Sequence, residues 1–137
     1  MICLKKGGKL IGNIGKSGYD KNFPHRPYHK EQPEGKSAVI FVHGFFGSPS
    51  QFWELSDLAW EKGYSVFSLL LPGHGGTSKE FAQAKKRQWE TYVEEELCEV
   101  SQRYENLIMC GHSMGGLLAL KAALAPKYHI RGIVTVN

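Results

Sequence analysis

The sequence has few cysteines and no long apolar run. Cys3, Cys98 and Cys110 are odd in number and widely separated. They match no disulfide or metal-ligand spacing, so free thiols are expected. No stretch reaches the roughly 20 apolar residues of a membrane-spanning helix, and the first residues lack the apolar core of a secretory leader. These absences predict a cytoplasmic protein without a membrane span, and no metal or other cofactor is expected.

Dense clusters of charge are also missing. The 137 residues carry a net charge of +4. Residues 1–36 hold eight basic and three acidic side chains, spread singly rather than in a run. Such a pattern favours a solvated extension over a nucleic-acid-binding surface, and no nucleic-acid partner is expected. We therefore predict a basic, Gly/Pro-rich N-terminal extension over residues 1–36 and one domain over residues 37–137.

Four apolar, β-prone runs alternate with three helical patterns. Because these runs are continuous, both faces of each strand are expected to be covered, which is typical of a parallel sheet between helices. The predicted fold class is α/β, a mostly parallel sheet with helices on both faces and the spatial order second, first, third, fourth strand. The predicted strands are 37–42, 64–71, 107–110 and 130–136, and the predicted helices are 48–62, 89–104 and 114–125.

The first helix carries its own local signals. Ser48 and Gln51 have the spacing of a capping box, with a proline between them at the first helical position. Apolar residues at helical spacing predict a core-facing stripe at Phe52, Leu55 and Leu58 or Ala59.

Other segments have weaker patterns. Residues 10–14 could form a short strand, and residues 19–35 are rich in turn formers, which predicts an extended loop. Residues 79–88 are basic and weakly patterned. Glu94–Glu96 and Glu99 are expected on the solvated face of the second predicted helix, 89–104.

The stretch Cys110–Gly116 carries the chemistry. It follows an apolar run and precedes an Ala/Leu-rich one, which predicts strand, sharp turn and helix with Ser113 at the apex. The spacing Gly111-x-Ser113-x-Gly115 is that of a nucleophile elbow. Small residues two before and two after the serine are needed where neighbouring backbone leaves no room for a β-carbon, and the helix N-terminus favours a developing oxyanion.

Two further loops are expected beside Ser113. The first strand ends at His43-Gly44-Phe45-Phe46-Gly47 and the second at residues 72–78. Reactive groups of parallel sheets lie at the carboxyl ends of the strands. The three loops should therefore meet at one edge of the sheet.

These residues resemble the α/β-hydrolase fold, in its carboxylesterase and monoacylglycerol-lipase-like branch. The resemblance rests on residues 43–47, 71–75 and 111–116 and covers about residues 37–137, the N-terminal half of that fold. It implies that Ser113 is the nucleophile and that the backbone N–H groups of Phe45 and Met114 form the oxyanion hole. Phe46 and the 72–76 loop would line the acyl pocket. His43 and His74 would belong with Phe46 to the substrate-binding site, where they would buttress the loops rather than take part in the chemistry.

The chain departs from this family after Ser113. The family triad continues with an acid and then a histidine, but no Asp or Glu follows Ser113. The only later histidine, His129, precedes the fourth strand and is expected about 17 Å away, at the opposite edge. We expect a chain truncated before its acid and base, weakly active alone. Its last strand, 132–136, is expected to leave an uncovered edge that favours self-association or pairing with a complementary C-terminal half.

Three functions remain open at this stage. The first is a serine hydrolase that cleaves small or medium acyl esters through an acyl-enzyme at Ser113. The second is a non-catalytic remnant or binding module of the same fold. The third keeps the serine but changes the reaction to acyl transfer, C–C hydrolysis or peptide cleavage.

Overall fold

The computed structural model describes residues 18–137, which form a five-stranded sheet flanked by helices. The strands are β1 (Tyr28–Lys30), β2 (Ser37–Val42), β3 (Ser65–Leu69), β4 (Asn106–His112) and β5 (Ile130–Val136). The helices are α1 (Trp53–Glu61), α2 (Ser78–Gln83), α3 (Lys86–Ser101) and α4 (Met114–Ala123), and a 3-10 turn at Pro49–Phe52 precedes α1.

The sheet has the order β1-β3-β2-β4-β5. Strands β3, β2, β4 and β5 are mutually parallel, and β1 runs antiparallel to β3. The four parallel strands therefore have the predicted order. Because these strands are parallel, the carboxyl ends of β2, β3 and β4 lie on the same side of the sheet.

Each face of the sheet has its own core. Helices α3 and α4 cover one face, where Ile40, Leu97 and Met109 are fully buried. Helix α1 covers the other, around Phe41 and Phe52. Helices thus lie on both faces, as predicted, and the strands can be apolar throughout.

Strand β1 corrects the prediction of an extended loop over residues 19–35. Tyr28 lies opposite Ser68 of β3, and its hydroxyl and that of Ser56 on α1 are 2.6 Å apart. Lys30 pairs with Asp57 on the same helix. The strand has only three residues, which are mostly polar, so the sequence contains no apolar run that would predict it. The strand predicted within residues 10–14 lies outside the described residues, and the division at residue 36 stays a prediction.

The start of α1 also differs from the prediction. The Ser48 hydroxyl makes no cap hydrogen bond and instead lies 2.7 Å from the hydroxyl of Ser50, so the predicted capping box is absent. Phe52 is buried as expected. Leu55 and Leu58 are about half exposed, at 43% and 51%. The 3-10 turn before α1 changes which residues of the helix face the core. The buried position of α1 is therefore Ser56, one residue after Leu55.

The segment before α3 contains a helix that the sequence pattern did not predict. Helix α2 begins with a true capping box, in which Thr77 and Glu80 bond each other's backbone N–H. Helix α3 buries the apolar side chains of Trp89, Val93, Leu97 and Val100, but Glu96, expected on the solvated face, is only 7% exposed. Burial, with the neighbouring Glu99 and Glu95 carboxylates, raises the pKa of Glu96 to about 7.

The structure tests the predictions of free thiols and of no membrane span. Cys110 is free and buried, as predicted, whereas Cys98 is disulfide-bonded, so the prediction of free thiols is wrong for Cys98. The wide spacing of the cysteines in the sequence did not predict a disulfide at Cys98. None of the helices in residues 18–137 combines the length and apolar character needed to cross a bilayer.

The Tyr28–Ser56 contact gives a test of how β1 is fixed to α1. Both side chains are buried, so Tyr28→Phe or Ser56→Ala leaves a buried hydroxyl without its partner and should lower the free energy of unfolding by about 1–2 kcal/mol. The double variant should lose about 1 kcal/mol less than the sum of the two changes, measured by urea denaturation. Strictly additive losses would contradict the contact.

Candidate active site

Ser113 lies at the junction of β4 and α4 in a strained conformation. Its φ is 49° and its ψ is −116°, and only Phe46 shares a positive φ among the described non-glycine residues. Its N–H donates to the Val136 carbonyl of β5 at 2.8 Å, which holds the turn against the neighbouring strand. Strain of this kind persists only where surrounding structure enforces it.

Two glycines make this turn sterically feasible. A β-carbon on Gly115 would overlap the Val42 carbonyl oxygen and would lie 2.5 Å from that of His43. A β-carbon on Gly111 would lie 2.5 Å from the backbone nitrogen of Gly116. The glycines flanking Ser113 therefore allow α4 to pack against the end of β2.

His43 is a buried tie between two loops. Its Nδ1 lies 2.9 Å from the Gly44 carbonyl, and its Nε2 accepts the Leu71 N–H at 3.0 Å. These contacts fit the neutral ring with its proton on Nδ1. Burial lowers the pKa of His43 to about 4. With no exposed surface, His43 supports the loops from below, and its assignment to substrate binding stays a prediction.

His74 lies against His43, with ring centroids 4.7 Å apart. Its Nδ1 is 3.3 Å from the Pro72 carbonyl, which also accepts the Trp89 indole N–H at 2.8 Å. The buried Nε2 has no partner among the described residues. Burial lowers the pKa of His74. The Pro72 loop is thus fixed from both sides.

Phe45 and Phe46 are displayed at the surface. Phe45 is 52% and Phe46 77% exposed. Phe46 stacks on Phe81 of α2 with centroids 4.3 Å apart. Sequence reasoning missed Phe81, although the Thr77–Glu80 capping spacing could have revealed the helix that carries it.

The chain brings the predicted site residues together at one edge. A β-carbon on Gly44, just before Phe45, would meet Nδ1 of His112, the neighbour of Ser113, at 2.6 Å. In the described part of the chain, neither the Phe45 N–H nor the Met114 N–H donates to an acceptor. Both donors are therefore available beside the serine turn.

A base for Ser113 is not found in the described part of the chain. Its hydroxyl makes no hydrogen bond to a histidine or carboxylate there. The His129 carbonyl accepts from Leu107, at the start of β4, whereas Ser113 follows the end of that strand. His129 therefore lies at the opposite edge, as predicted.

A cavity of about 290 Å³ lies beside α2 rather than at Ser113. Polar and small residues line it, among them His74, Glu80 and Gln88. Within residues 18–137 no group of three or more His, Cys, Asp or Glu side chains could hold a metal ion.

Comparison with known proteins identifies the family. The profile of the alpha/beta hydrolase family matches residues 39–137. The chain belongs to the alpha/beta hydrolase family. Its fold is the corresponding part of the alpha/beta hydrolase fold, and its relatives in the family include lipases and esterases.

Three of these relatives give the scale of the match. A thermostable monoacylglycerol lipase of Bacillus sp. (strain H-257) is 34% identical over 81% of this chain and 43% of its own length. A carboxylesterase of Bacillus subtilis (strain 168) is 32% identical over 73% and 40%. A solved structure reported for LipS and LipT, two metagenome-derived lipolytic enzymes, superposes with a TM-score of 0.75 at 30% identity, over 82% and 45%. The chain thus spans less than half the length of these alpha/beta hydrolase relatives.

Gly115→Ala should show how closely α4 approaches β2. Overlap with the Val42 carbonyl is with rigid backbone, so the free energy of unfolding should fall by about 3 kcal/mol or more. Gly132→Ala in β5 is the matched control, because nothing lies within 4 Å of its β-carbon position. The control should melt at or above the wild-type temperature, and equal melting of the two variants would disprove the close approach.

The buried neutral His43 predicts an acid-sensitive fold. The unfolded histidine has a pKa of about 6.5 and the folded one about 4, so the unfolded state binds more protons between these values. The free energy of unfolding should therefore fall as pH falls from 6.5 to 4, by up to about 3 kcal/mol. The measurement is urea denaturation across this range.

His43→Asn provides the comparison for this pH dependence. The variant should be less stable at pH 7 and show a flatter dependence between pH 6.5 and 4. Should it fail to fold, an NMR titration of the His43 ring in the wild-type chain gives the same answer. A midpoint near 6.5 would contradict the prediction.

Proposed function

We propose that the protein is a serine hydrolase that cleaves carboxylic esters through an acyl-enzyme at Ser113. The observation that carries this proposal is the strained Ser113 turn, with φ of 49°, enforced by the close approach of Gly115 to the carbonyls of Val42 and His43. Such strain in an exposed turn at a strand-to-helix junction is typical of a nucleophile. The lipase and carboxylesterase relatives support carboxylic esters as substrates.

The proposed reaction has two steps. The Ser113 hydroxyl oxygen attacks the ester carbonyl carbon while a base takes its proton, and collapse of the tetrahedral intermediate expels the alcohol, which receives that proton. Water then attacks the acyl-enzyme and releases the acid and free Ser113. The N–H groups of Phe45 and Met114 would stabilise the oxyanion in both steps.

The base and its orienting acid would be supplied by residues outside 18–137. The relatives are more than twice as long as the matched stretch, so a complementary C-terminal part is the proposed source. Without it, the serine hydroxyl is a weak nucleophile. A positioned base contributes about 10²–10⁴-fold, so the 137-residue chain should hydrolyse p-nitrophenyl butyrate barely faster than buffer does.

Fluorophosphonate labelling tests this function. The reagent should label the chain slowly at Ser113, located by peptide mass spectrometry, because Ser113 oxygen displaces fluoride from phosphorus only poorly without a base. The C-terminal half of the Bacillus monoacylglycerol lipase, added in excess, should accelerate labelling about tenfold or more.

Two serine variants make this experiment specific. Ser113→Ala should abolish labelling, whereas Ser78→Ala, an exposed serine on α2, should label as the wild type does. Labelling that persists in Ser113→Ala, or that maps to another serine, would refute the proposed nucleophile.

A further inference from the structure

Gln51 makes a contact that its position in the sequence did not predict. It lies in the 3-10 turn before α1, where the predicted capping box with Ser48 is absent. Its Oε1 instead accepts the backbone N–H of Gly44 at 3.3 Å. A β-carbon on Gly47 would lie 2.7 Å from the same oxygen. The glutamine amide therefore packs directly against the loop after β2.

This contact fixes the peptide that joins His43 to Gly44. All peptides in the described part of the chain are trans, and the carbonyl and N–H of a trans peptide point in opposite directions. The Gly44 N–H points to Gln51. The His43 carbonyl points to the other side, where a β-carbon on Gly115 would lie 2.5 Å from it. The peptide is thus held between Gln51 and α4.

The next peptide, which carries the Phe45 N–H, is fixed through its carbonyl. The Gly44 carbonyl accepts the Gly47 N–H at 2.9 Å, and Nδ1 of His43 lies 2.9 Å from it. The Phe45 N–H therefore points away from these two partners. Two contacts to one carbonyl leave this donor little freedom to rotate.

A strained residue closes the same loop. Residues 44–47 form a turn closed by the Gly47 N–H, with a positive φ only at the third residue, as in a type II turn. That position favours glycine, but Phe46 occupies it with a φ of 56°. Such strain persists only where surrounding contacts enforce it. The Gln51 amide, packed against Gly44 and Gly47, is such a contact.

The loop lies against the serine turn at Gly44. A β-carbon there would lie 2.6 Å from Nδ1 of His112 and 3.2 Å from its carbonyl oxygen, and Ser113 is the next residue. A change in the backbone angles at Gly44 would therefore change how the Phe45 N–H stands relative to Ser113. Gln51 restrains those angles, since it binds the Gly44 N–H itself.

We infer that Gln51 is a positioning residue for the oxyanion hole, acting through the Gly44 N–H on the direction of the Phe45 N–H. This inference rests on the proposed function, because it takes the N–H groups of Phe45 and Met114 as the oxyanion donors. Donors that are fixed before the reaction stabilise a developing oxyanion without reorganisation. The side chain of Gln51 supplies part of that fixation.

The test compares a reaction that needs an oxyanion hole with one that does not. Ser113→Cys supplies a thiolate, which reacts without a strong base. With p-nitrophenyl butyrate, the sulfur attacks the ester carbonyl carbon, an oxyanion forms, and p-nitrophenolate leaves as the thioester forms. With iodoacetamide, the sulfur displaces iodide from carbon, and no charge develops on oxygen. The ratio of the two rates at this position, followed by peptide mass spectrometry, reports the oxyanion hole.

The ratio should depend on Gln51. In the Ser113→Cys chain it should exceed that of a cysteine in an unstructured peptide by about tenfold or more, because one oxyanion donor is worth about 10²–10³-fold. Adding Gln51→Met, which keeps the side-chain length without the amide acceptor, should lower the ratio about tenfold and leave the iodoacetamide rate nearly unchanged. Gln102→Met, at an exposed glutamine that ends α3, is the matched control and should change neither rate.

Amide hydrogen exchange reports the contact itself. The Gly44 N–H should exchange slowly in the wild-type chain and faster in Gln51→Met. Gln51→Glu keeps an acceptor at the same length and should keep the slow exchange, which a role in packing alone would not predict. Gln51 is exposed, so both variants should fold. Wild-type exchange of Gly44 as fast as that of Phe45 would overturn the contact without any variant.

The outcomes distinguish this inference from the proposed function. A ratio in Ser113→Cys equal to that of the unstructured peptide refutes the oxyanion hole of the proposed function, and the role of Gln51 with it. A raised ratio that Gln51→Met leaves unchanged refutes the role of Gln51 alone. A raised ratio that falls in Gln51→Met, with faster exchange at Gly44, supports the inference.

Discussion

The close approach of Gly115 to the carbonyl oxygens of Val42 and His43 is the constraint on which the site depends. Any side chain there would push α4 away from the end of β2. Because α4 stays close, the turn before it must fold sharply, and Ser113 takes its unusual φ. The same contact fixes the distance between the serine turn and the loop that carries Phe45 and Phe46. One missing β-carbon thus positions both the candidate nucleophile and the candidate oxyanion donors.

His43 adds a second constraint between loops that are distant in sequence. Its ring spans from the Gly44 carbonyl to the Leu71 N–H, so the loops after β2 and β3 cannot move independently. The neutral ring is required at both ends, since Nδ1 donates and Nε2 accepts. Burial maintains that state by disfavouring the charged form.

The sequence predicted the features that depend on long or dense patterns. Continuous apolar runs identified the four parallel strands, and the glycine spacing around Ser113 identified the turn, its edge of the sheet and the loops beside it. The roles of these residues remain proposals. The predictions that failed concern elements that are short in sequence or that depend on tertiary contacts. β1 has three mostly polar residues, and Glu96 is buried although the helical pattern of α3 predicted a solvated face for it. Phe81 could not be placed, because its contacts join α2 to a loop about 35 residues earlier.

The two edges of the sheet are unequal. At one edge, β1 has only three residues, runs antiparallel and presents a lysine that is tied to α1. Short edge strands of this kind offer little template for another chain. At the other edge, β5 has seven residues, and Val134 and Val136 are 49% and 40% exposed. Among the described residues, β5 therefore offers the longer edge for strand addition by another chain. Two β5 edges that pair with each other make a closed, isologous contact.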